Sequence, residues 1–101
     1  MPAYMIVMAK IADRPRFIEG YGQAAASLLP QFGGRYLARA PGAVVLEGDP
    51  WAEGCSMVVS EWPDMAAIRR FWDSPPYAEA RKLREGLAEV RVLAIEAPEA
   101  P

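Results

Sequence analysis

Three segments of this sequence are apolar on both of their alternating sides, and this feature constrains the fold more than any other. Neighbouring side chains of a β-strand point to opposite sides of a sheet. In residues 4–11 both sets are apolar: Tyr4, Ile6 and Met8 on one side, and Met5, Val7 and Ala9 on the other. Residues 55–62 and 87–96 repeat the pattern. Strands with one wet side alternate apolar and polar residues, so this sheet needs an apolar cover on both sides.

Two helical regions separate these segments. Apolar residues recur at helical spacing from Arg14 to Leu29, which predicts an amphipathic helix with Asp13 as its N-cap. A second helix is predicted to begin after Asp64. Ser74-Pro75-Pro76 interrupts it, because proline lacks the N–H that a helix interior requires. A shorter helix then runs from Tyr77 to Glu85 and completes this region.

The middle of the chain predicts one further strand region. Residues 35–40 and 43–47 both read as strand, and Pro41-Gly42 between them predicts a bend or bulge in one long strand, or a break between two short strands. The order is then β-α-β-β-α-β, which predicts an α+β, ferredoxin-like fold. Two right-handed crossovers place both helices on one face of a four-stranded antiparallel sheet. We expect a single domain over residues 1–97 and a flexible tail over 98–101.

The face of the sheet that the helices leave uncovered predicts a homodimer. An apolar face of this size exceeds what a monomer usually exposes. A second copy of the same sheet in a twofold pair is the simplest cover. We therefore expect two subunits to pair through this face of the sheet.

Composition and charge exclude several classes of function. The net charge is −2 and no run of Lys and Arg exceeds two residues, so we expect no nucleic-acid binding. The chain has no histidine and a single cysteine, Cys55, which removes histidine-based nucleophile systems, imidazole metal sites and thiolate clusters. The apolar stretch from Tyr4 to Ala9 is far shorter than the roughly 20 residues that span a bilayer. We expect a cytoplasmic protein with no metal, cofactor or membrane partner.

Arg35, Arg39 and Glu61 are the first candidate site. The spacing of the two arginines predicts that they share one strand face. If the hairpin places Glu47 opposite Cys55, Glu61 lies diagonal to Arg39 on that face. A carboxylate beside an arginine can bind or deprotonate a small acidic or enolisable substrate. The alternative is a structural or interfacial ion pair.

The residues around the helix break are the second candidate site. Trp72, Tyr77 and Arg84 predict the mouth of a pocket between the helices and the sheet. The alternative for Trp72 is core packing, while the Tyr77 hydroxyl needs a polar partner. Tyr21 and Tyr36 are amphipathic aromatics that can line the same cleft or pack in the core. The candidate catalytic residues are thus Glu61 and Tyr77. The candidate ligand-binding residues are Arg35, Arg39, Arg84, Tyr36 and Trp72.

Several motifs together resemble one known family. They are the opening MPAYMIV, the turn Phe32-Gly33-Gly34-Arg35-Tyr36, the strand end Val45-Leu46-Glu47-Gly48, the segments Glu61-Trp62-Pro63-Asp64 and Phe71-Trp72-Asp73-Ser74-Pro75-Pro76-Tyr77, and the closing strand. From about Pro2 to Glu96 the chain resembles the domain of unknown function 1330 (DUF1330) family of the dimeric α/β-barrel superfamily. The resemblance implies two ferredoxin-like units packed sheet to sheet.

The resemblance implies less about function. Relatives in the superfamily include cofactor-free monooxygenases, haem-degrading enzymes, muconolactone isomerase-like proteins and regulatory ligand-binding domains. The haem-degrading relatives hold haem with a histidine, which this chain lacks. We expect a small-molecule site in each subunit of a homodimer. The alternatives are a cofactor-independent monooxygenase- or isomerase-like enzyme, and a non-catalytic regulatory or structural dimerisation module.

Overall fold

The four strands form one antiparallel sheet in the order β2-β3-β1-β4. They are β1 (Ala3–Ile11), β2 (Arg35–Ala40), β3 (Ser56–Trp62) and β4 (Ala88–Glu96). The computed structural model describes residues 1–98, so the predicted tail lies, except for Pro98, outside the described residues. The strand order and the two helical crossovers confirm the ferredoxin-like fold.

The first crossover is a continuous helical stretch with an irregular centre. It consists of α1 (Arg14–Phe17), a π-helical turn (Ile18–Gly22), α2 (Gln23–Leu28) and a 3-10 turn (Leu29–Phe32). Asp13 caps its beginning as predicted, because the Asp13 carboxylate accepts a hydrogen bond of 3.2 Å from the Arg16 N–H. The predicted regular helix is therefore correct in place but not in its central geometry.

The second crossover has two helices, as the sequence predicts. They are α3 (Met65–Trp72) and α4 (Pro75–Lys82). The Asp64 carboxylate accepts from the Ala67 N–H at 2.8 Å, and the Ser74 hydroxyl accepts from the Tyr77 N–H at 3.3 Å. Each helix thus begins with a side chain that satisfies one of its free N–H groups. The prolines after Ser74 stand in the first turn of α4, where no N–H is needed.

Strand β2 differs from its prediction in length and in register. It ends at Ala40, and residues 43–47 are not a strand. The irregularity lies between Tyr36 and Ala38 rather than at Pro41-Gly42, so Leu37 is an extra residue without a pairing partner in β3. A bulge of this kind reverses the alternation of side chains for the rest of the strand.

The two faces of the sheet are both apolar, as the sequence predicts, but only one is covered. Both crossovers cover the helix-covered face. Its buried residues, all at most 4% exposed, are Ala3, Met5, Ala9, Ser60 and Trp62. We call the other face the open face; its apolar residues are Tyr4, Ile6, Met8, Met57, Val59, Leu93 and Ile95. Leu93 and Ile95 remain 60% and 57% exposed.

A loop crosses one end of the open face. In the 3-10 turn Pro50–Ala52, the Trp51 indole N–H donates to the Glu89 carboxylate at 3.0 Å, and the Arg91 guanidinium lies 3.8 Å from the Trp51 ring centroid. Glu89 and Arg91 pair with Lys10 and Met8 of β1 on this face. The loop therefore covers the charged end of the open face and leaves the apolar remainder bare.

We expect Gly34→Ala to destabilise the fold. A Cβ at Gly34 would lie 2.8 Å from Leu29 and 2.9 Å from Trp62, which is too close for packed side chains to accommodate without movement. Overpacking of this kind typically costs about 1–3 kcal/mol. Urea denaturation measures the change, with Gly20→Ala as the control, because a Cβ there makes only ordinary contact at 3.6 Å. Equal stability of the two variants would contradict this packing.

Candidate functional site

A cavity of about 470 Å³ lies between the first crossover and the helix-covered face of the sheet. Its walls are mainly apolar. The sheet supplies one wall and the helical stretch 14–29 supplies the other; the apolar lining includes Met5, Val7, Ala9, Phe17, Ala25 and Leu29. The cavity has the volume and the apolar lining of a site for a small organic molecule.

The polar groups of the cavity include two arginines and no acid. The Arg39 guanidinium lies 4.2 Å from the ring centroid of Tyr36, and both residues line the cavity. On the opposite wall, Arg14 donates a hydrogen bond of 2.6 Å to the Ser56 hydroxyl. Among residues 1–98, no aspartate or glutamate lines the cavity. Uncompensated positive charge favours an anionic or strongly polarised oxygen on a bound molecule.

Two buried tyrosine hydroxyls meet beside the cavity. Tyr21 stands in the π-helical turn and lines the cavity, and its hydroxyl lies 2.7 Å from the hydroxyl of Tyr77. Burial raises the pKa of Tyr21 well above its ordinary value, and the nearby Tyr77 raises it further. Burial also raises the pKa of Tyr36, against the opposing charge of Arg39. Both phenols that line the cavity therefore stay protonated at neutral pH and can donate hydrogen bonds.

The structure separates Arg39 from Glu61 and corrects the predicted register. Glu61 pairs with Arg35, whereas Arg39 pairs with Val58, whose side chain is on the helix-covered face. The prediction that both arginines share one face with Glu61 is wrong, because the extra residue Leu37 turns Arg39 to the other side. Arg39 thus lines the cavity, and Glu61 does not.

Glu61 instead joins a polar cluster on the open face. The Arg35 Nε–H donates to the Glu61 carboxylate at 2.8 Å, and the Tyr4 hydroxyl donates to its other oxygen at 3.2 Å. The Arg35 side chain is 69% exposed. This geometry is the ion pair that the sequence left as the alternative for Glu61.

The residues around the helix break form an aromatic and cationic cluster in the helix layer. Trp72 lies 5.3 Å from Tyr77, measured between ring centroids, and the Arg81 guanidinium lies 4.8 Å from the Trp72 ring. Arg84 lies 4.8 Å from the ring centroid of Tyr21. The polar partner predicted for Tyr77 is therefore Tyr21. Within the described part of the chain, neither Trp72, Tyr77 nor Arg84 lines the cavity.

Sequence reasoning left out several polar residues of this site, among them the hydrogen-bonded pair Arg14 and Ser56. They lie 42 positions apart, and only the packing of the helix on the sheet joins them. It also left the role of Tyr21 open between cleft and core. A local signal does exist for Tyr21, because Gly20 and Gly22 flank it and glycine weakens a regular helix. π-helical turns occur frequently at functional sites.

Residues 1–98 contain neither a cluster of metal-ligating side chains nor a membrane-spanning helix. No group of three or more His, Cys, Asp or Glu side chains is placed to hold a metal ion in that range. None of the helices there has the length and apolar character to cross a bilayer.

The sequence matches one known family. The model of the family described as "Domain of unknown function (DUF1330)" matches residues 2–98. This range includes every strand and helix of the fold and the whole lining of the cavity. No curated protein matches the chain.

Solved structures share the fold at low sequence identity. A protein of unknown function from Rhodopseudomonas palustris has a TM-score of 0.78 and 17% identity over 98% of this chain and 84% of that one. SnoaB, a cofactor-independent oxygenase from Streptomyces nogalater, has a TM-score of 0.68 and 12% sequence identity. The match covers 98% of this chain and 95% of SnoaB. A dimeric ferredoxin-like protein of unknown function from Jannaschia sp. CCS1 has a TM-score of 0.68 and 16% sequence identity. The match covers 96% of this chain and 100% of that protein. These similarities establish the fold.

We expect the buried Tyr21 phenol to make stability fall at alkaline pH. Its folded pKa lies above the ordinary value of 10.0. The stabilisation is therefore complete below about pH 10 and is lost as the pH rises toward the folded pKa. Between about pH 10 and 11, the free energy of unfolding should fall by up to about 1.4 kcal/mol per pH unit more steeply in the wild type than in Tyr21→Phe. Urea denaturation measures both slopes, and parallel curves would contradict the burial of this phenol.

Proposed function

This chain belongs to the DUF1330 family, and from that premise we propose that it is a homodimer that binds a small organic molecule in the cavity of each subunit. The ligand class is an apolar, flat or aromatic body that carries an anionic or strongly polarised oxygen. The observation that carries the proposal is the cavity of about 470 Å³, whose walls are apolar and whose polar groups include Arg39 stacked on Tyr36.

The size and lining of the cavity support an organic ligand over a structural role alone. Ligand sites typically have volumes of about 300–1,000 Å³ and combine apolar walls with a few polar groups. A purely structural dimerisation module would be expected to fill this volume with side chains, because protein interiors are close-packed. Tyr36 and Arg39 contribute as ligand-binding residues, together with Arg14 and Tyr21.

The charges of the cavity support an acidic ligand. Arg39 and Arg14 are exposed residues that line a mostly apolar cavity, and the described lining contains no carboxylate that would neutralise them. A carboxylate, enolate or phenolate oxygen on the ligand would accept charge-assisted hydrogen bonds from a guanidinium. The rest of the ligand would gain from burial against Met5, Val7 and Phe17.

The cavity favours binding over general base catalysis by this chain. A general base must reach the proton that it removes. Glu61 faces the other side of the sheet, and Tyr77 is 1% exposed with its hydroxyl bonded to Tyr21. The phenols of Tyr21 and Tyr36 are protonated at neutral pH and act as donors. Cofactor-independent oxygenation, for which the Streptomyces nogalater neighbour is named, would require a substrate that is already acidic.

The open face supports the homodimer. Leu93 and Ile95 expose more than half of their surface beside Ile6 and Val59. A second copy presents the same apolar residues, so a twofold pairing buries both sets at once. The Jannaschia sp. CCS1 neighbour is a dimer with this fold. We propose a cytoplasmic location, since the single Cys55 leaves the fold independent of internal disulfides.

The first test of this proposal uses 2-naphthoate, an aromatic anion that is small enough for the cavity, and 2-naphthamide, its uncharged analogue. We expect isothermal titration calorimetry to show tighter binding of 2-naphthoate by at least about tenfold, because hydrogen bonds to charged groups are the stronger ones. Arg39→Met should remove this preference.

The matched control replaces an arginine outside the cavity. Arg70 is exposed on α3, so Arg70→Met should keep the wild-type preference for 2-naphthoate. Failure of both probes to bind the wild type, or an unchanged preference in Arg39→Met, would overturn the proposed site.

The second test concerns the homodimer. We expect Leu93→Asp to sediment as a monomer at micromolar concentration, because it places a charge within the proposed apolar interface. Leu83→Asp is the matched control, since Leu83 is 49% exposed at the end of α4, away from the open face. Analytical ultracentrifugation that shows a monomeric wild type, or equal dimerisation of both variants, would refute the interface.

A further inference from the structure

The hydrogen bond between Tyr21 and Tyr77 has a direction that burial determines. The two hydroxyl oxygens lie 2.7 Å apart, and either one can be the donor from geometry alone. Tyr77 is 1% exposed, and its hydroxyl has no other hydrogen-bond partner within residues 1–98. A buried hydroxyl that does not donate its proton is costly. Tyr21 is also buried, at 8% exposed, but it borders the cavity, so the favoured arrangement has Tyr77 donate and the Tyr21 oxygen accept.

This direction leaves the Tyr21 proton free. The Tyr21 hydroxyl donates to no other group in the described part of the chain, and Tyr21 lines the cavity. A hydroxyl that already accepts one hydrogen bond becomes a better donor through cooperative polarisation. Because Tyr21 lines the cavity, a molecule bound there can supply the acceptor for that proton.

Two further features of Tyr21 strengthen its role as a donor. The Arg84 guanidinium, 4.8 Å from the ring centroid, draws electron density from the ring. The position of the donor is also fixed, because the π-helical turn that carries Tyr21 packs against α4 through Gly20 and Leu83.

We propose that Tyr21 donates a hydrogen bond to a carbonyl-type acceptor oxygen of the ligand, and that Tyr77 is the positioning residue that orients this donor. Tyr21 is on the helix wall of the cavity and Arg39 is on the sheet wall. The ligand class is then an apolar molecule with two oxygen functions, one anionic and one a neutral carbonyl acceptor. This inference rests on the proposed binding function of the cavity.

The test uses two probes that differ only at the acceptor oxygen. These are 6-acetyl-2-naphthoate, which carries a ketone opposite its carboxylate, and 6-isopropenyl-2-naphthoate, in which a CH₂ group replaces the ketone oxygen. Calorimetry should show that the wild type binds the ketone about fivefold more tightly. In Tyr21→Phe the ratio of the two affinities should fall to about one, and in Tyr77→Phe it should fall to an intermediate value.

The ratio separates this inference from general damage and from the proposed function. Both probes share the same cavity contacts, so a loosened variant weakens both and leaves their ratio unchanged. Tyr4→Phe removes a tyrosine hydroxyl on the open face and should keep the wild-type ratio. If neither probe binds the wild type, the cavity proposal and this inference both fail. If both bind the wild type with equal affinity, only the inference about Tyr21 fails.

A crystal structure of the wild type with 6-acetyl-2-naphthoate provides a test that needs no variant. The expected result is a ketone oxygen within hydrogen-bond distance of the Tyr21 hydroxyl and a carboxylate near Arg39. A ketone bound elsewhere, with the Tyr21 hydroxyl unpaired, would overturn the inference.

Discussion

The backbone pairing of β2 with β3 determines which charges enter the cavity. In a regular strand, Arg35 and Arg39 would share one side. The unpaired Leu37 shifts the register, so Arg35 faces Glu61 on the open face and Arg39 stacks on Tyr36 beside the cavity. One extra residue thus separates an ion pair from an uncompensated cation. The electrostatic character of the cavity depends on this separation, since a carboxylate next to Arg39 would cancel the charge that favours an anionic ligand.

An aromatic chain connects the sheet to both crossovers and supports the helix wall of the cavity. Ring centroids lie 5.0 Å apart between Trp62 and Phe71, 4.3 Å between Phe71 and Tyr77, 6.2 Å between Tyr77 and Tyr21, and 5.3 Å between Tyr21 and Phe17. Large rings in contact contribute much of the burial in a small core. Tyr21 and Phe17 are both members of this series of aromatic rings. The part of the cavity wall that they form is therefore held by the core rather than by a loop. A donor on such a wall keeps its position when the cavity is empty.

The sequence predicts the elements and the faces better than it predicts the site. Helices follow Asp13, Asp64 and Ser74, because the side chain of each residue satisfies a free N–H group in the first turn of the helix that begins there. The apolar open face is also readable, since alternation in β1, β3 and β4 is a local pattern. The bulge at Leu37 is not readable from the sequence, because RYLARA is compatible with a regular strand and contains no glycine or proline that would mark an irregularity. The hydroxyl contact of Tyr21 with Tyr77 spans 56 positions and depends on tertiary packing alone.

The small size of the domain connects the cavity to the open face. A chain of 101 residues buries only about two-thirds of the surface that it exposes when unfolded. A cavity of about 470 Å³ takes up volume that side chains of this thin core would otherwise fill. In the proposed dimer, the apolar side chains of the open face become buried without any further chain length. Pairing through that face would add stability and so offset what the loosely filled interior loses. The helix-covered face can then hold a ligand, while the open face supplies stability.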